Sequence, residues 1–226
     1  MRNKRKIQVN IPLFLHIALQ FVLGIFILVF GVNMMIRSLL GPAPWDTFTY
    51  HLHALLNVTL GISAFIIQCT LIIIIMALRK SWQYSYIFTS IITISVAFDF
   101  WDLIVFRDYY PEGLFLRWIF YLGGITLLSF GLGLVVLTRF KATVVDELML
   151  LFMDFFKTKN VFMTRMLVEG IGLSMGLIIG LLAGLGLGII NQGTLIVTLI
   201  LPFLLSLQLR WMTPIFDIKR KHHIES

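Results

Sequence analysis

Residues 13–36 read LFLHIALQFVLGIFILVFGVNMMI, a stretch without an acidic or basic side chain other than one histidine. A helix that crosses the hydrocarbon core of a bilayer needs about 20 mostly apolar residues, so this stretch predicts a membrane span. Five further stretches have a similar character: residues 61–78, 85–106, 115–138, 164–187 and 193–209. They are far longer than the ~10-residue alternating segments of a transmembrane β-barrel, and we expect six transmembrane helices.

The whole chain has the composition of an integral membrane protein. Of its 226 residues, 59% are hydrophobic and 13% are charged, and the mean hydropathy is +0.95. Soluble domains carry about 25% charged residues. The net charge of +7 comes from basic residues at the ends of apolar runs rather than on one soluble face. We therefore expect the lipid bilayer, and not nucleic acid, as the partner.

The basic residues also predict an orientation. Fifteen of the 18 precede span one, join spans two and three, join spans four and five, or follow span six. Cytoplasmic connections carry an excess of Lys and Arg. If both termini lie in the cytoplasm, only Arg37, Arg107 and Arg117 fall on the outer side. We expect a multi-pass protein of the cell membrane with cytoplasmic termini.

The chain repeats its layout after a hundred residues. Residues 31–46 (GVNMMIRSLLGPAPWD) and 131–146 (GLGLVVLTRFKATVVD) each begin at a glycine inside a long span and end at an aspartate. A semi-polar stretch too short to cross the membrane follows each one. Three spans per half is an odd number, so the second half enters the membrane from the opposite side, as in inverted-topology repeats. We expect one all-α membrane domain made of two inverted three-span repeats, residues 1–112 and 113–226, each with a short non-spanning helix.

The segments that follow the two aspartates have two interpretations. Gly41, Pro44 and a second proline disfavour regular helix, and Asp46 then takes the position expected of a helix N-cap. In the first interpretation Asp46 and Asp146 cap helices that lie in the membrane interface, with Trp45 as an interface anchor. In the second, both segments are re-entrant half-helices whose N-termini face a binding site.

These residues carry a resemblance to a known family. The chain resembles the YczE/YyaS/YitT group of bacterial membrane proteins from about residue 13 to 210. The matching residues are Gly41, Pro44, Trp45 and Asp46 after the first span, Asp146, Leu148 and Met149 in the second half, the pair Arg165 and Glu169, and Gly193 with Thr194. The resemblance implies a membrane fold and no particular chemistry. Residues 141–145 depart from the Gly/Pro pattern of the first half.

Further polar groups fall within the spans. Glu169 lies one helical turn beyond Arg165, where the two side chains share a face and can form an ion pair; the alternative is a carboxylate coupled to a proton or a substrate. Asp102 is expected to reach water and Asp99 to lie deeper. The candidate solute or ion site is therefore Trp45, Asp46, Asp99, Asp146 and Glu169.

Other motifs favour neither metal nor enzyme chemistry. His51 and His53 are two residues apart, so on a helix they point away from each other. The sequence contains no HExxH, GxSxG or Walker motif. We expect no metal, no cofactor and no enzymatic activity.

A ridge of small residues in span five predicts close helix packing. Gly172, Gly176, Gly180, Gly184 and Gly188 recur at every fourth position. Such a ridge lets another helix approach, either in the same chain or in a second copy, which would make a homo-oligomer. Two functional classes remain: a transporter-like carrier of a small solute or ion, and a membrane accessory or regulatory protein without transport activity.

Overall fold

The computed structural model describes residues 11–138 and 143–225. Within these ranges the chain forms eight α-helices and no strand. They are α1 (Ile11–Ser38), α2 (Pro44–Leu56), α3 (Leu60–Arg79), α4 (Ile87–Asp99), α5 (Leu114–Leu137), α6 (Val144–Phe155), α7 (Val161–Leu182) and α8 (Gln192–Glu225). A 3-10 helix (Trp82–Tyr86) leads into α4, and a π-helix (Phe100–Phe106) continues it.

Six helical stretches are long and apolar enough to cross a membrane. They are Phe14–Ser38, Leu60–Arg79, Trp82–Phe106, Leu114–Leu137, Val161–Leu182 and Gln192–Pro214. The prediction of an all-α, multi-pass membrane protein is confirmed at this level. Both short segments after the aspartates are also helical: α2 has 13 residues and α6 has 12. At 1.5 Å per residue neither is long enough to cross the hydrocarbon core.

Span five ends earlier than predicted. The helix stops at Leu182 rather than at residue 187, and Gly184, Gly186 and Gly188 that follow have φ values of +72°, +63° and +54°. These backbone conformations favour glycine and cannot continue a right-handed helix. The three glycines therefore form the turn toward α8.

The most extensive helix pairing joins α1 to α5 through four glycines. An added Cβ at Gly31 would lie 2.5 Å from the carbonyl oxygen of Gly124, and one at Gly131 would lie 2.6 Å from that of Gly24. The early part of α1 thus contacts the late part of α5, and the late part of α1 contacts the early part of α5. The two helices are antiparallel, and their backbones approach as closely as small residues allow in membrane bundles.

The glycine ridge of α7 packs against α2 of the same chain. An added Cβ would lie 2.8 Å from the Trp45 ring at Gly172 and 2.7 Å from His51 Nδ1 at Gly180. Gly176 lies against the backbone of Phe48. The intramolecular alternative is therefore observed for these three glycines. A homo-oligomer stays a prediction.

Some residues behind the predicted orientation lie outside the described part of the chain. They are Arg2, Lys4, Arg5, Lys6, Arg139 and Lys141. The cytoplasmic position of both termini stays a prediction.

Candidate functional site

The two short helices begin in the same way. Ala43 and Thr143, both in extended conformation, are the N-caps of α2 and α6. Each aspartate is therefore the third residue of its helix, and the expectation that Asp46 is an N-cap was wrong. The physical reason is Pro44: its fixed φ and missing N–H suit the first helical position, so α2 begins before the aspartate.

The N-terminal ends of α2 and α6 line one cavity of about 120 Å³. Its polar lining consists of Trp45, Asp46, Thr143, Asp146, Arg165 and Glu169. Ala43, Val145, and leucines and a valine from α1, α5 and α8 form the apolar remainder. A water molecule occupies about 30 Å³ in the liquid, whereas pockets for drug-sized ligands exceed about 300 Å³. The cavity therefore suits waters, an ion or a very small solute.

A second cavity of about 100 Å³ adjoins the first. The two share Trp45, Asp46 and Thr143 in their linings, and the second extends to Thr49 and to Gln68 of α3. Asp46 thus lies between the two cavities. Four of the five predicted site residues are brought together here: Trp45, Asp46, Asp146 and Glu169.

Arg165 holds two of the carboxylates. Its Nη1 lies 2.8 Å from Asp146 Oδ1, and its Nε lies 2.9 Å from Glu169 Oε1. The predicted pair of Arg165 with Glu169 is therefore present. The Thr143 hydroxyl donates a hydrogen bond of 2.7 Å to Asp146 Oδ2 and accepts one of 3.2 Å from the Asp146 N–H. Asp146 is anchored on both carboxylate oxygens.

Asp46 lacks such partners. Its side chain is surrounded by protein and is accessible only in part. Its carboxylate makes no hydrogen bond or ion pair with any described residue. Burial, with a smaller contribution from the nearby negative charge of Glu169, raises the pKa of Asp46 from 3.8 to about 7. Removing a carboxylate from water disfavours its charged form, and a second carboxylate nearby adds repulsion.

Two other lining residues have polar atoms without a partner. Among the described residues, Trp45 Nε1 and Glu169 Oε2 are buried and make no hydrogen bond. Buried polar atoms are satisfied in the great majority of cases. Both atoms belong to residues that line the cavity.

Asp99 lies outside the cavity lining. Its carboxylate accepts hydrogen bonds from Thr59 Oγ1 at 2.9 Å and from the Gly61 N–H at 2.8 Å. These donors belong to the N-terminal end of α3, where backbone N–H groups lack helical partners. Asp99 therefore ties α4 to the start of α3.

Asp102 does not reach water as expected. It is buried in the π-helix and forms an ion pair with Arg37 of α1, with 2.5 Å between Nη2 and Oδ1. The Arg37 guanidinium also lies over the Tyr110 ring, 4.7 Å from its centre. Sequence reasoning missed this pair because 65 positions separate its members. The only signal was one arginine at the end of an otherwise uncharged span.

His51 is a hydrogen-bonded core residue. It is fully buried, with 2.7 Å between its Nδ1 and the Gly176 carbonyl oxygen, and the Ile189 N–H donates to its Nε2 at 3.4 Å. Since Nε2 accepts, Nδ1 carries the proton and donates to Gly176. The imidazole connects α2 with α7 and with the segment before α8.

Comparisons with known proteins found a relative and a matching family. The chain is 28% identical over 161 residues to "Uncharacterized protein YyaS" of Bacillus subtilis (strain 168), which covers 69% of this chain and 77% of that protein. The resemblance predicted from the sequence thus finds support in one of its three named members. No solved structure matches the chain. Residues 16–208 match the model of the "Family of unknown function (DUF6198)", and the chain belongs to this family.

Proposed function

We propose that the protein is a non-enzymatic membrane carrier of a small solute or ion and that the cavity between α2 and α6 is its binding site. The observation that carries this proposal is the meeting of two short helices. The first turns of both, with Asp46 and Asp146, line one cavity together with Arg165 and Glu169. Helices too short to cross the bilayer, with N-termini directed at a common site, are typical of secondary transporters.

The charges of the cavity support the same function. Ionisable side chains within a transmembrane domain are energetically unfavourable and mark pathways for ions or solutes by default. Here three carboxyl groups and one guanidinium surround a space large enough for a few waters. A packing role alone does not require a third carboxyl group without a partner.

We also propose that residues 1–112 and 113–226 are inverted repeats. Gly24 and Gly31 of α1 have counterparts a hundred residues later in Gly124 and Gly131 of α5. Gly24 contacts Gly131, and Gly31 contacts Gly124. This reciprocal pattern is expected of two elements related by a twofold axis. The packing of α2 on α7 and of α6 on α3 supports the same relation. With both termini in the cytoplasm, the Lys and Arg distribution follows the positive-inside rule.

A membrane accessory protein without transport activity is the alternative. It is favoured by the small volume of the cavity and by the ion pair of Arg165 with Asp146, which ties α7 to α6 beside it, while the pair with Glu169 lies within α7. Opening a path for a solute would require these contacts to break or to move with their helices.

Flux measurements in proteoliposomes test the proposal. Purified full-length protein is reconstituted and screened against small cations, anions, amino acids and amines. We expect flux of at least one solute, reduced about tenfold or more by Asp46→Asn or Asp146→Asn, which corresponds to the loss of about 1.4 kcal/mol of interaction. Asp154→Asn is the matched control, because Asp154 is mostly exposed, pairs with Arg79 and does not line the cavity. Flux equal to that of empty liposomes for every solute would exclude the carrier.

A further inference from the structure

We infer that Asp46 is a proton-binding site and that the carrier couples solute movement to the loading and release of this proton. As a statement about coupling, this inference rests on the proposed function; as a statement about a proton site, it stands on the geometry of the cavity. The group that binds the proton is one carboxyl oxygen of Asp46. The proton comes from hydronium in water that enters the cavity. Hydronium becomes water, and the carboxylate becomes a carboxylic acid.

The first argument is the balance of charge. Among the described residues, Arg165 is the only cationic side chain that lines the cavity. Asp146 and Glu169 already bind its guanidinium, so this group of three carries one negative charge. An ionised Asp46 would add a second negative charge, and the described lining holds no further cation for it. A proton on Asp46 removes this second negative charge and takes less space than any other cation.

The second argument is that the Asp46 carboxylate accepts no hydrogen bond from the described residues. Asp146 receives the Thr143 hydroxyl and Arg165, and Asp99 receives a hydroxyl and an amide N–H. The Asp46 carboxylate receives no donor from any described residue. A buried carboxylate is stabilised by donors and cations, whereas its protonated form requires neither. The environment thus favours the acid form.

The third argument concerns every element packed around Asp46. The charged groups that face it are Asp146 of α6 and Arg165 and Glu169 of α7. The linings contributed by α1, α4, α5 and α8 are aliphatic or aromatic, and α3 adds the neutral Gln68 to its aliphatic residues. Burial, together with repulsion from the negative charge of Glu169, raises the pKa of Asp46 to about 7. Both protonation states are then accessible at neutral pH, as proton coupling requires.

Infrared spectroscopy of the full-length protein tests the proton site directly. In phosphatidylcholine nanodiscs, the carbonyl stretch of a protonated carboxyl group is followed from about pH 5 to about pH 9, a range above the ordinary pKa of Asp and Glu. We expect a carboxylic acid band that disappears with a midpoint near neutral pH. Asp46→Asn should abolish this titration, and Asp154→Asn should leave it unchanged.

Glu169 provides a second variant that keeps Asp46 in place. Glu169→Gln removes the like charge and frees part of Arg165, so the midpoint of the Asp46 band should fall by about one pH unit or more. Glu169 thus changes the proton affinity of Asp46 through its charge and does not bind the proton itself. An unmoved midpoint in the folded variant would overturn the inference, as would a titration that persists in Asp46→Asn or a wild-type protein without a titrating band near neutral pH.

The two proposals fail in distinguishable ways. Solute flux in proteoliposomes without an Asp46 titration would overturn the proton site and leave the carrier intact. An Asp46 titration without flux of any solute would support the proton site and overturn the carrier.

Discussion

Asp46 and Asp146 are each the third residue of a short helix, and both line the same cavity. Asp146 accepts hydrogen bonds from Thr143 and from the Arg165 guanidinium. Asp46 receives none from the described residues, although the two residues occupy matching places in the sequence a hundred positions apart. One aspartate is therefore bound by a hydroxyl and a guanidinium, and the other is placed where its charge is unfavourable.

The difference between the two aspartates has one local cause, Thr143 at the N-cap of α6 against Ala43 at that of α2, and one cause in a neighbouring helix. The anchoring cation is Arg165 in α7, and its counterpart a hundred residues earlier is Phe65 in α3. The counterpart of Glu169 is Cys69. On the proposed repeat, corresponding helices thus surround the two aspartates with different chemistry. Similar local sequence decides where a carboxyl group lies, and the neighbouring helix supplies the cation beside Asp146.

Removing the shared cation should have the largest effect. Arg165→Gln leaves Asp146 and Glu169 without their cation, and breaking partly buried pairs in this way should lower the free energy of unfolding by about 3 kcal/mol. Arg79→Gln is the matched control, because Asp154, its partner, is 72% exposed, and exposed pairs contribute less than about 1 kcal/mol. Chemical denaturation in detergent measures both variants. Equal losses would contradict the anchoring role of Arg165.

A substitution at the contact between α2 and α7 should have the next largest effect on stability. In Gly172→Ala the new methyl group would lie 2.8 Å from the Trp45 ring. Overpacking of this kind costs about 1–3 kcal/mol, and it would displace the segment that carries Asp46. Gly170→Ala is the control, since no atom lies within 4 Å of its added Cβ. Thermal unfolding should separate the two variants; a Gly172→Ala protein as stable as Gly170→Ala would refute this packing.

The pH dependence of stability should distinguish the two aspartates. The folded state binds a proton on Asp46 more tightly than the unfolded state, because its pKa is raised from 3.8 to about 7. The free energy of unfolding should therefore fall as the pH rises from about 4 to about 7, and the loss is complete above that range. Asp46→Asn should remove this loss and stabilise the protein by about 1–2 kcal/mol at pH values near 8, with little change at acidic pH.

Unfolding curves of Asp46→Asn at several pH values provide the measurement. Asp154→Asn, which alters an exposed carboxylate, should show no such gain. A gain from Asp46→Asn that is the same at every pH would contradict titration of Asp46 as its cause.

The helix caps should have the smallest effect. Thr143→Ala removes the hydroxyl that bonds the Asp146 N–H and carboxylate, and loss of an N-cap typically costs about 1 kcal/mol. At the matching position of α2, Ala43 has no side-chain cap. Ala43→Ser should therefore stabilise α2 by a similar amount. Opposite signs in thermal unfolding would support the correspondence of the two helices, and a loss in both would oppose it.

Much of the fold follows from local sequence. Each span was predicted because its hydrophobic stretch needs no partner to enter a bilayer, and each short helix because an apolar segment of about ten residues cannot cross one. The end of span five was misplaced at residue 187, since the letters alone do not show that Gly184 has a positive φ. Local sequence rules predicted part of the candidate site. This part consists of Asp46, Asp146 and the pair of Arg165 with Glu169, which lie one helical turn apart.

What only the tertiary structure decided is which distant side chains meet. Asp99 bonds the start of α3, Asp102 bonds Arg37, and the glycine ridge of α7 receives α2. Composition and hydropathy determined a six-span membrane protein, because the transfer of apolar side chains into lipid is a property of each segment by itself. The common cavity and the environment of Asp46 depend on how the helices pack. The energy of this packing comes from contacts between residues far apart in the chain.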